Sequence, residues 1–343
     1  MQIDKNPFRG AGLCHQSLSG IDAPSIDTAT PEALLTRCPV AAVTPLVSLN
    51  GFGCTVWAKD ERARMGLGSF KALGAAYVIA HAAAQAGAQD MSTALTGQTY
   101  VTASAGNHGL SVAAGARIFG ARAVIYLSET VPDGFAQRLK AKGAEVIRAG
   151  HDYESSMEAA HDAAHVNGWT LLSDSSWPGY WEMPHRLMEG YLVMAAEAAR
   201  QMPQVPTHIF LQAGVGGLAA ACAAHFRQVW GDGPVITVVE PAAAPALQAS
   251  IGAGEPVATT GPVSAMGRLD CKEPSLIALK GLARDADRFA LLSEAEAGAI
   301  LPRLASQGMA TTESGAAGVA ALALSDLGPD DVALVILSEM ADA

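Results

Sequence analysis

No C-x-x-C pair occurs in this chain, and its five cysteines (Cys14, Cys38, Cys54, Cys222 and Cys271) are scattered and odd in number. That pattern argues against a structural zinc site and a disulfide framework, and points to a reduced, cytoplasmic compartment. Charge is also sparse. Only 16% of residues are charged, and 22 Lys and Arg against 33 Asp and Glu leave a net charge of −11. An acidic surface disfavours nucleic acid and anionic membrane as partners, so an anionic ligand must be held by backbone amides and one or two well-placed cations. No signal peptide is expected either, since Met1-Gln2-Ile3-Asp4-Lys5 has no apolar core. The uncharged run 201–226 has the length of a membrane span. Pro203, Pro206, Gly214, Gly216 and Gly217 inside it favour a buried strand, turn and helix instead.

What is present is apolar residue in quantity. Half of the 343 residues are hydrophobic, enough for a large buried volume in two lobes and against wholesale disorder. After thirty residues without periodicity, read as an arm, β-rich runs alternate with amphipathic or alanine-rich ones. Strands are expected at 54–58, 100–102, 122–127, 145–148, 170–172, 208–212, 235–240 and 332–337. Helices are expected at 110–119, 133–142, 152–166, 184–200, 218–230, 243–252, 274–283 and 294–307. Alternation of this kind predicts an α/β fold with parallel sheets and sites at the carboxyl ends of strands.

Three loops carry the chemistry. Gly66-Leu67-Gly68-Ser69-Phe70-Lys71 ends in a lysine that opens an alanine-rich helical run, 72–80. Desolvation there is expected to lower the pKa of Lys71 and free its amine as a base or nucleophile. Taken alone, the pattern favours a lysine whose stem lies along the surface and whose charge reaches water. In Thr102-Ala103-Ser104-Ala105-Gly106-Asn107-His108-Gly109, small residues let amides converge on an anion at a helix N-terminus; the same letters also describe a plain turn. Gln212-Ala213-Gly214-Val215-Gly216-Gly217-Leu218-Ala219 can cradle a phosphate. It also satisfies G-x-G-x-x-A after a strand, with Glu240 ending the next strand where a ribose-binding acid would sit. That match keeps a nicotinamide-dependent Rossmann oxidoreductase open. His161-Asp162-Ala163-Ala164-His165 misses the H-E-x-x-H zinc pattern and reads as a solvated helix face, so no metal is expected.

Together these segments identify a family. Lys59-Asp60-Glu61 followed by 66–71 resembles the lysine motif of pyridoxal-phosphate enzymes of the tryptophan-synthase β group, fold type II. Ser104 to Gly109 resembles that group's substrate loop, as in serine and threonine dehydratases. Finer details resemble the diaminopropionate ammonia-lyases: Gln212 to Gly216, Asp174-Ser175-Ser176-Trp177-Pro178-Gly179-Tyr180, Met188-Glu189-Gly190-Tyr191, and the run from Met266 to Pro274. The resemblance spans about 44–338. It implies a large cofactor-binding lobe of residues 1–87 plus 179–343 and a smaller lobe at 88–178, with pyridoxal 5'-phosphate in the cleft between them. It also implies a homodimer.

The resemblance implies a role for each matching residue. Lys71 would form the Schiff base with the cofactor aldehyde and then take the substrate's α-proton. Phe70 would face the cofactor ring, Asn107 would hold its phenolic oxygen, and the amides of Gly214, Val215, Gly216 and Gly217 its phosphate. Ser338 would be a neutral partner for the pyridine nitrogen, and Ser104, Ala105, Gly106 and His108 would bind substrate. Asp174 would bind the β-substituent or orient it for departure; a local cap in Ser173-Asp174-Ser175-Ser176 accounts for it equally. The implied reaction is β-elimination on a small amino acid, 2,3-diaminopropionate first, yielding pyruvate and ammonia. A serine, threonine or 3-hydroxyaspartate dehydratase on the same scaffold is the alternative.

Two departures stand out. Ala105 occupies the position where diaminopropionate ammonia-lyase carries an acid associated with the D-isomer. The tail Ser338-Glu339-Met340-Ala341-Asp342 only loosely follows the family's serine-threonine-glutamate-glycine run. With the chain ending soon after, a pocket wall or dimer contact supplied there by the family is expected to be missing.

Overall fold

A computed structural model describes residues 1–341. Among the described residues, eleven strands form two sheets. They are β1 (Gln2–Lys5), β2 (Leu46–Leu49), β3 (Thr55–Asp60), β4 (Thr99–Ala103), β5 (Arg122–Leu127), β6 (Glu145–Arg148), β7 (Thr170–Leu171), β8 (His208–Gln212), β9 (Val235–Pro241), β10 (Arg288–Leu292) and β11 (Val332–Leu337). The larger sheet runs β1-β10-β9-β8-β11-β3-β2 and the smaller β6-β5-β4-β7. Only the edge pairs β1·β10 and β2·β3 are antiparallel. Central strands such as β11 (VALVIL) are buried along their whole length, as a parallel sheet covered on both faces requires.

Register places the chemistry. Pairing of Leu337 with Asp60, and of Val335 with Phe210, brings the carboxyl ends of β3, β11 and β8 side by side. The loops that leave them carry Lys71, Ser338 and Gly214, while β4 delivers Ser104 from the smaller sheet.

The lysine loop is anchored by a charge network that water does not reach. Lys59, Glu61, Arg64 and Glu197 are 0–3% exposed. Glu197, on the helix Glu182–Gln201, accepts from Lys59 Nζ and Arg64 Nη2, both at 2.7 Å. Arg64 Nε donates to Glu61 at 2.7 Å, and the Thr44 hydroxyl donates to Glu61 at 2.5 Å. Two cations meet two anions, so the network is neutral and its polar atoms are satisfied. The same helix closes on the lysine turn at Gly190, where a Cβ would lie 2.0 Å from the carbonyl oxygen of Leu73.

The run 201–226 is β8, a turn and the helix Gly217–Trp230. Among the described residues, no helix is long and apolar enough to cross a membrane. Several expectations needed correction. The N-terminal arm begins with β1, a four-residue polar strand too short to show a period. The run 294–307 is two helices, Glu294–Gly298 and Leu301–Ser306, because Pro302 lacks the N–H needed to continue the first. Cys54, which the expected strand 54–58 included, is half-buried and precedes β3. Besides β1, two strands and two α-helices had no sequence signal: β2, β10, the helix Ala29–Leu35, and the helix Glu313–Ala323, a run of Ala, Gly and Val buried nearly all round.

Removing one partner from the network strands a buried charge, so Glu197→Ala is expected to destabilise the protein by about 3–5 kcal/mol in urea unfolding. Burial alone would raise the Glu197 carboxyl, but Arg64 and Lys59 more than offset it and hold it below its ordinary value of 4.5. Its stabilisation is therefore present above that pH and lost on acidification below it. The Glu197→Ala protein should accordingly lose less stability between pH 5 and about 3 than the unsubstituted chain. Equal slopes would contradict this.

Candidate active site

Lys71 sits on the short 3-10 turn Phe70–Leu73, and Gly74 separates that turn from the helix Ala75–Gln85. The lysine therefore precedes the helix by a turn instead of opening it. Phe70 N–H donates to the carbonyl of Ser338 at 3.0 Å, Met340 N–H to that of Gly68 at 2.9 Å, and Ser69 pairs with Glu339 in an isolated bridge. The lysine loop is thus zipped to the chain leaving β11. Lys71 Nζ lies 5.5 Å from the centroid of the Phe70 ring, which packs at 4.9 Å on the ring of Tyr191.

The Lys71 ammonium donates to and is ion-paired with Asp174. This overturns the expected direction of its pKa. Burial lowers it, as anticipated, but the facing Asp174 carboxylate more than offsets that and holds the amine above its ordinary value. Burial pushes Asp174 up, yet Lys71 outweighs burial and keeps the carboxyl well below the usual carboxylate range. Asp174 is therefore the counter-ion of the lysine, and a local cap no longer accounts for it.

The loop after β4 opens the helix Asn107–Ile118. Ser104 Oγ accepts from Gly106 and Gly109 N–H at 3.2 and 3.1 Å, which folds the loop around its own hydroxyl. Ala105 is exposed, and a Cβ on Gly106 would meet nothing within 4 Å, so this side of the loop is open. His108 is buried, which lowers its pKa, and is neutral. Its Nε2 pairs with the Leu172 carbonyl at 2.8 Å, so Nε2 carries the proton, while Nδ1 has no partner among the described residues. Asn107 Nδ2 donates to Glu339 Oε2 at 2.5 Å.

The glycine loop leads from β8 into the helix Gly217–Trp230. Gly216 has φ +100°, in the left-handed region, and a Cβ there would lie 2.8 Å from Ala278 Cβ; no other residue fits without strain. Among the described residues, no acceptor meets the amides of Gly214, Gly216 or Gly217. Nearby cations are committed elsewhere: Lys272 to Asp270 and two carbonyls, Lys280 to the carbonyls of Leu18 and Ile21. The Val215 amide meets the Cys271 thiol, and the converging amides of Gly214, Gly216 and Gly217 at a helix N-terminus are what a phosphate takes. With the lysine one loop away, these residues fit a phosphorylated aldehyde cofactor.

Glu240, the acid of the oxidoreductase alternative, is fully buried. Its two oxygens accept from Leu247 and Gln248 N–H, both at 2.8 Å, capping the helix Ala246–Ala253. Burial raises it to about 8. It is a structural cap, and the ribose reading falls with it. His161 lies 3.8 Å from its neighbour Asp162, and no described cluster of His, Cys, Asp and Glu has a metal-holding arrangement. Trp177 and Tyr180 stack at 4.3 Å and, with His161, His165 and Trp169, line a separate cavity of about 400 Å³.

Sequence reasoning assigned no role to Tyr191, Cys271, Thr312 or Glu339. Tyr191 is buried, with its hydroxyl beside the Lys71 amine. Cys271 Sγ would be 2.9 Å from a Cβ on Gly214. The runs 188–191 and 266–274 had been quoted as motifs, which was the available signal for the first two.

The chain matches the description "Pyridoxal-phosphate dependent enzyme" over residues 39–339 and belongs to that family. Its cofactor is therefore pyridoxal 5'-phosphate, and its fold is that of the type II enzymes. Among curated relatives, diaminopropionate ammonia-lyase of Salmonella typhimurium is 35% identical over 268 residues, which cover 70% of this chain and 66% of the relative. The Escherichia coli K12 enzyme of that name is 34% identical over 269 residues, covering 73% and 66%. The match thus spans just under two thirds of these relatives. Holo diaminopropionate ammonia lyase from Escherichia coli superposes with a TM-score of 0.85 at 27% identity, covering 98% of this chain and 93% of that one. The same enzyme in complex with an aminoacrylate-PLP azomethine reaction intermediate gives 0.84 at 28%, with the same coverage.

Asp174→Asn removes the charge that holds Lys71 up and leaves burial, which lowers it. The pH profile of Lys71 acetylation in cofactor-free protein, followed by peptide mass spectrometry, should move to lower pH by about one unit or more. An unmoved profile would show that Asp174 does not set the amine's charge.

Proposed function

We propose that this chain is a pyridoxal-phosphate-dependent lyase that eliminates the β-substituent of a small amino acid, with 2,3-diaminopropionate as first substrate and pyruvate and ammonia as products. The observation that carries this reading is the ionised carboxylate of Asp174 held at the amine of Lys71. Such a carboxylate suits a substrate with a cationic β-ammonium, which can replace the lysine as its partner once that amine is engaged elsewhere. A β-hydroxyl substrate brings no charge for Asp174 to meet.

Bound pyridoxal phosphate supplies the electron sink that acidifies the substrate Cα–H. Lys71 takes the α-proton, and Asp174 holds the β-ammonium until the Cβ–N bond breaks and ammonia leaves with the bonding pair. The released enamine hydrolyses to pyruvate and a second ammonia. Gly214, Val215, Gly216 and Gly217 would hold the phosphate through amides, and Phe70 would pack against the ring. Asn107 would meet its phenolic oxygen. Ser338 would offer the pyridine nitrogen a neutral hydroxyl, which would leave it unprotonated and favour elimination. Ser104, Ala105, Gly106 and His108 surround the substrate carboxylate. The division into 88–178 against 1–87 plus 179–343 is supported by the four-stranded sheet lying between Thr99 and Leu171. Cytoplasmic residence is supported by five cysteines without a disulfide, and a homodimer by the family resemblance.

A panel of amino acids scored by 2-oxo acid release tests the reading. L-2,3-diaminopropionate should exceed serine, threonine and 3-hydroxyaspartate in kcat/KM by about tenfold or more, with the D-isomer slower for want of an acid at Ala105. Lys71→Ala should lower the rate by about 10²–10⁴-fold. Faster release from a hydroxy substrate would make the protein a dehydratase.

A further inference from the structure

A carboxamide has two nearly isosteric ends, and only its surroundings decide whether nitrogen or oxygen faces a ligand. Asn107 stands at the mouth of its loop, where an oxygen ligand needs the nitrogen end. The side chain that meets Asn107 is Glu339, two residues beyond β11 and 4% exposed. An ionised carboxylate only accepts, so an oxygen of Glu339 at 2.5 Å selects the nitrogen of Asn107.

Glu339 is itself held in place by donors. Gly315 N–H donates to Thr312 Oγ1 at 2.9 Å, which turns the threonine hydroxyl proton towards Glu339 Oε1, its other partner. Arg268 Nε stands 3.6 Å from Oε2 and balances the charge. The backbone is pinned too, by Thr311 Oγ1 donating to the Glu339 carbonyl at 2.5 Å. Gly315 makes room for the side chain, since a Cβ there would lie 3.1 Å from Glu339 Cγ.

We propose that Glu339 is a positioning residue that accepts one N–H of Asn107, fixes the orientation of the carboxamide, and leaves its second N–H for the cofactor's phenolic oxygen. The inference rests on the reading that Asn107 meets that oxygen. It assigns the chain Gly315, Thr312, Glu339, Asn107 a single function: to carry order from the large sheet across to the loop after β4. A glutamine at 339 offers both a donor and an acceptor and no longer imposes one orientation.

The test uses full-length protein, with pyridoxal phosphate affinity and the absorption spectrum of the bound cofactor as readouts, for Glu339→Gln, Asn107→Ala and the double variant. Glu339→Gln should weaken cofactor binding about tenfold, the scale of one hydrogen bond to a charged group. It should also change the ratio of the bound cofactor's ultraviolet and visible bands. In the Asn107→Ala background the same change should alter affinity less than about twofold, because its target is gone. Thr312→Val, which keeps the carboxylate but removes its hydroxyl donor, should show a smaller loss with the same dependence on Asn107.

Cofactor affinity and spectrum unchanged in Glu339→Gln, or an equal loss with and without Asn107, would overturn the proposal. Asn107→Ala indistinguishable from the parent would remove its premise and overturn it too. Failure of the parent protein to develop a visible band with pyridoxal phosphate would instead sink the functional reading itself.

Discussion

Lys59, Glu61, Arg64 and Glu197 lie where water does not reach, and their mutual pairing decides where the lysine loop can sit. Two of these groups leave the end of β3, one lies on the loop itself and one on the helix Glu182–Gln201. The charges can be buried only together, because each alone carries a desolvation penalty of several kcal/mol. That requirement couples strand, loop and helix. The turn bearing Lys71 follows with little freedom, closed by Gly190 from one side and by the chain leaving β11 from the other.

A second constraint is charge supply. The protein is acidic, and Lys272 and Lys280, on the segment that packs against the glycine loop, are already bound to carbonyls and to Asp270. In the proposed site, negative charge would be met by the amides of Gly214, Gly216 and Gly217, which have no acceptor among the described residues, and the dipole of the helix Gly217–Trp230 adds to them. Positive charge is met by Asp174.

Much of this was legible in the chain. Strands at 122–127, 208–212 and 332–337 are where the apolar runs put them, because parallel strands buried on both faces are continuous apolar runs with sharp ends. The helix Glu313–Ala323 escaped because a helix buried all round has no polar face to reveal its period. β1 escaped because its pairing with β10, nearly 290 positions away, is a tertiary fact. At the site, Lys71 and Asp174 each stood out, but they are 103 positions apart. Burial without a partner predicts a lowered amine pKa. The ion pair, visible only in three dimensions, reverses that sign. Glu240 failed in the opposite way, since its spacing fitted a ribose site while the fold used it as a helix cap.

The central claim is that the amine of residue 71 is the covalent anchor of the cofactor, and borohydride reduction followed by peptide mapping tests it most directly. The protein loaded with pyridoxal phosphate, reduced and digested, should carry one phosphopyridoxyl group per chain, on the peptide containing Lys71. A label found on another lysine, or none where the unreduced protein had held cofactor, would contradict the account.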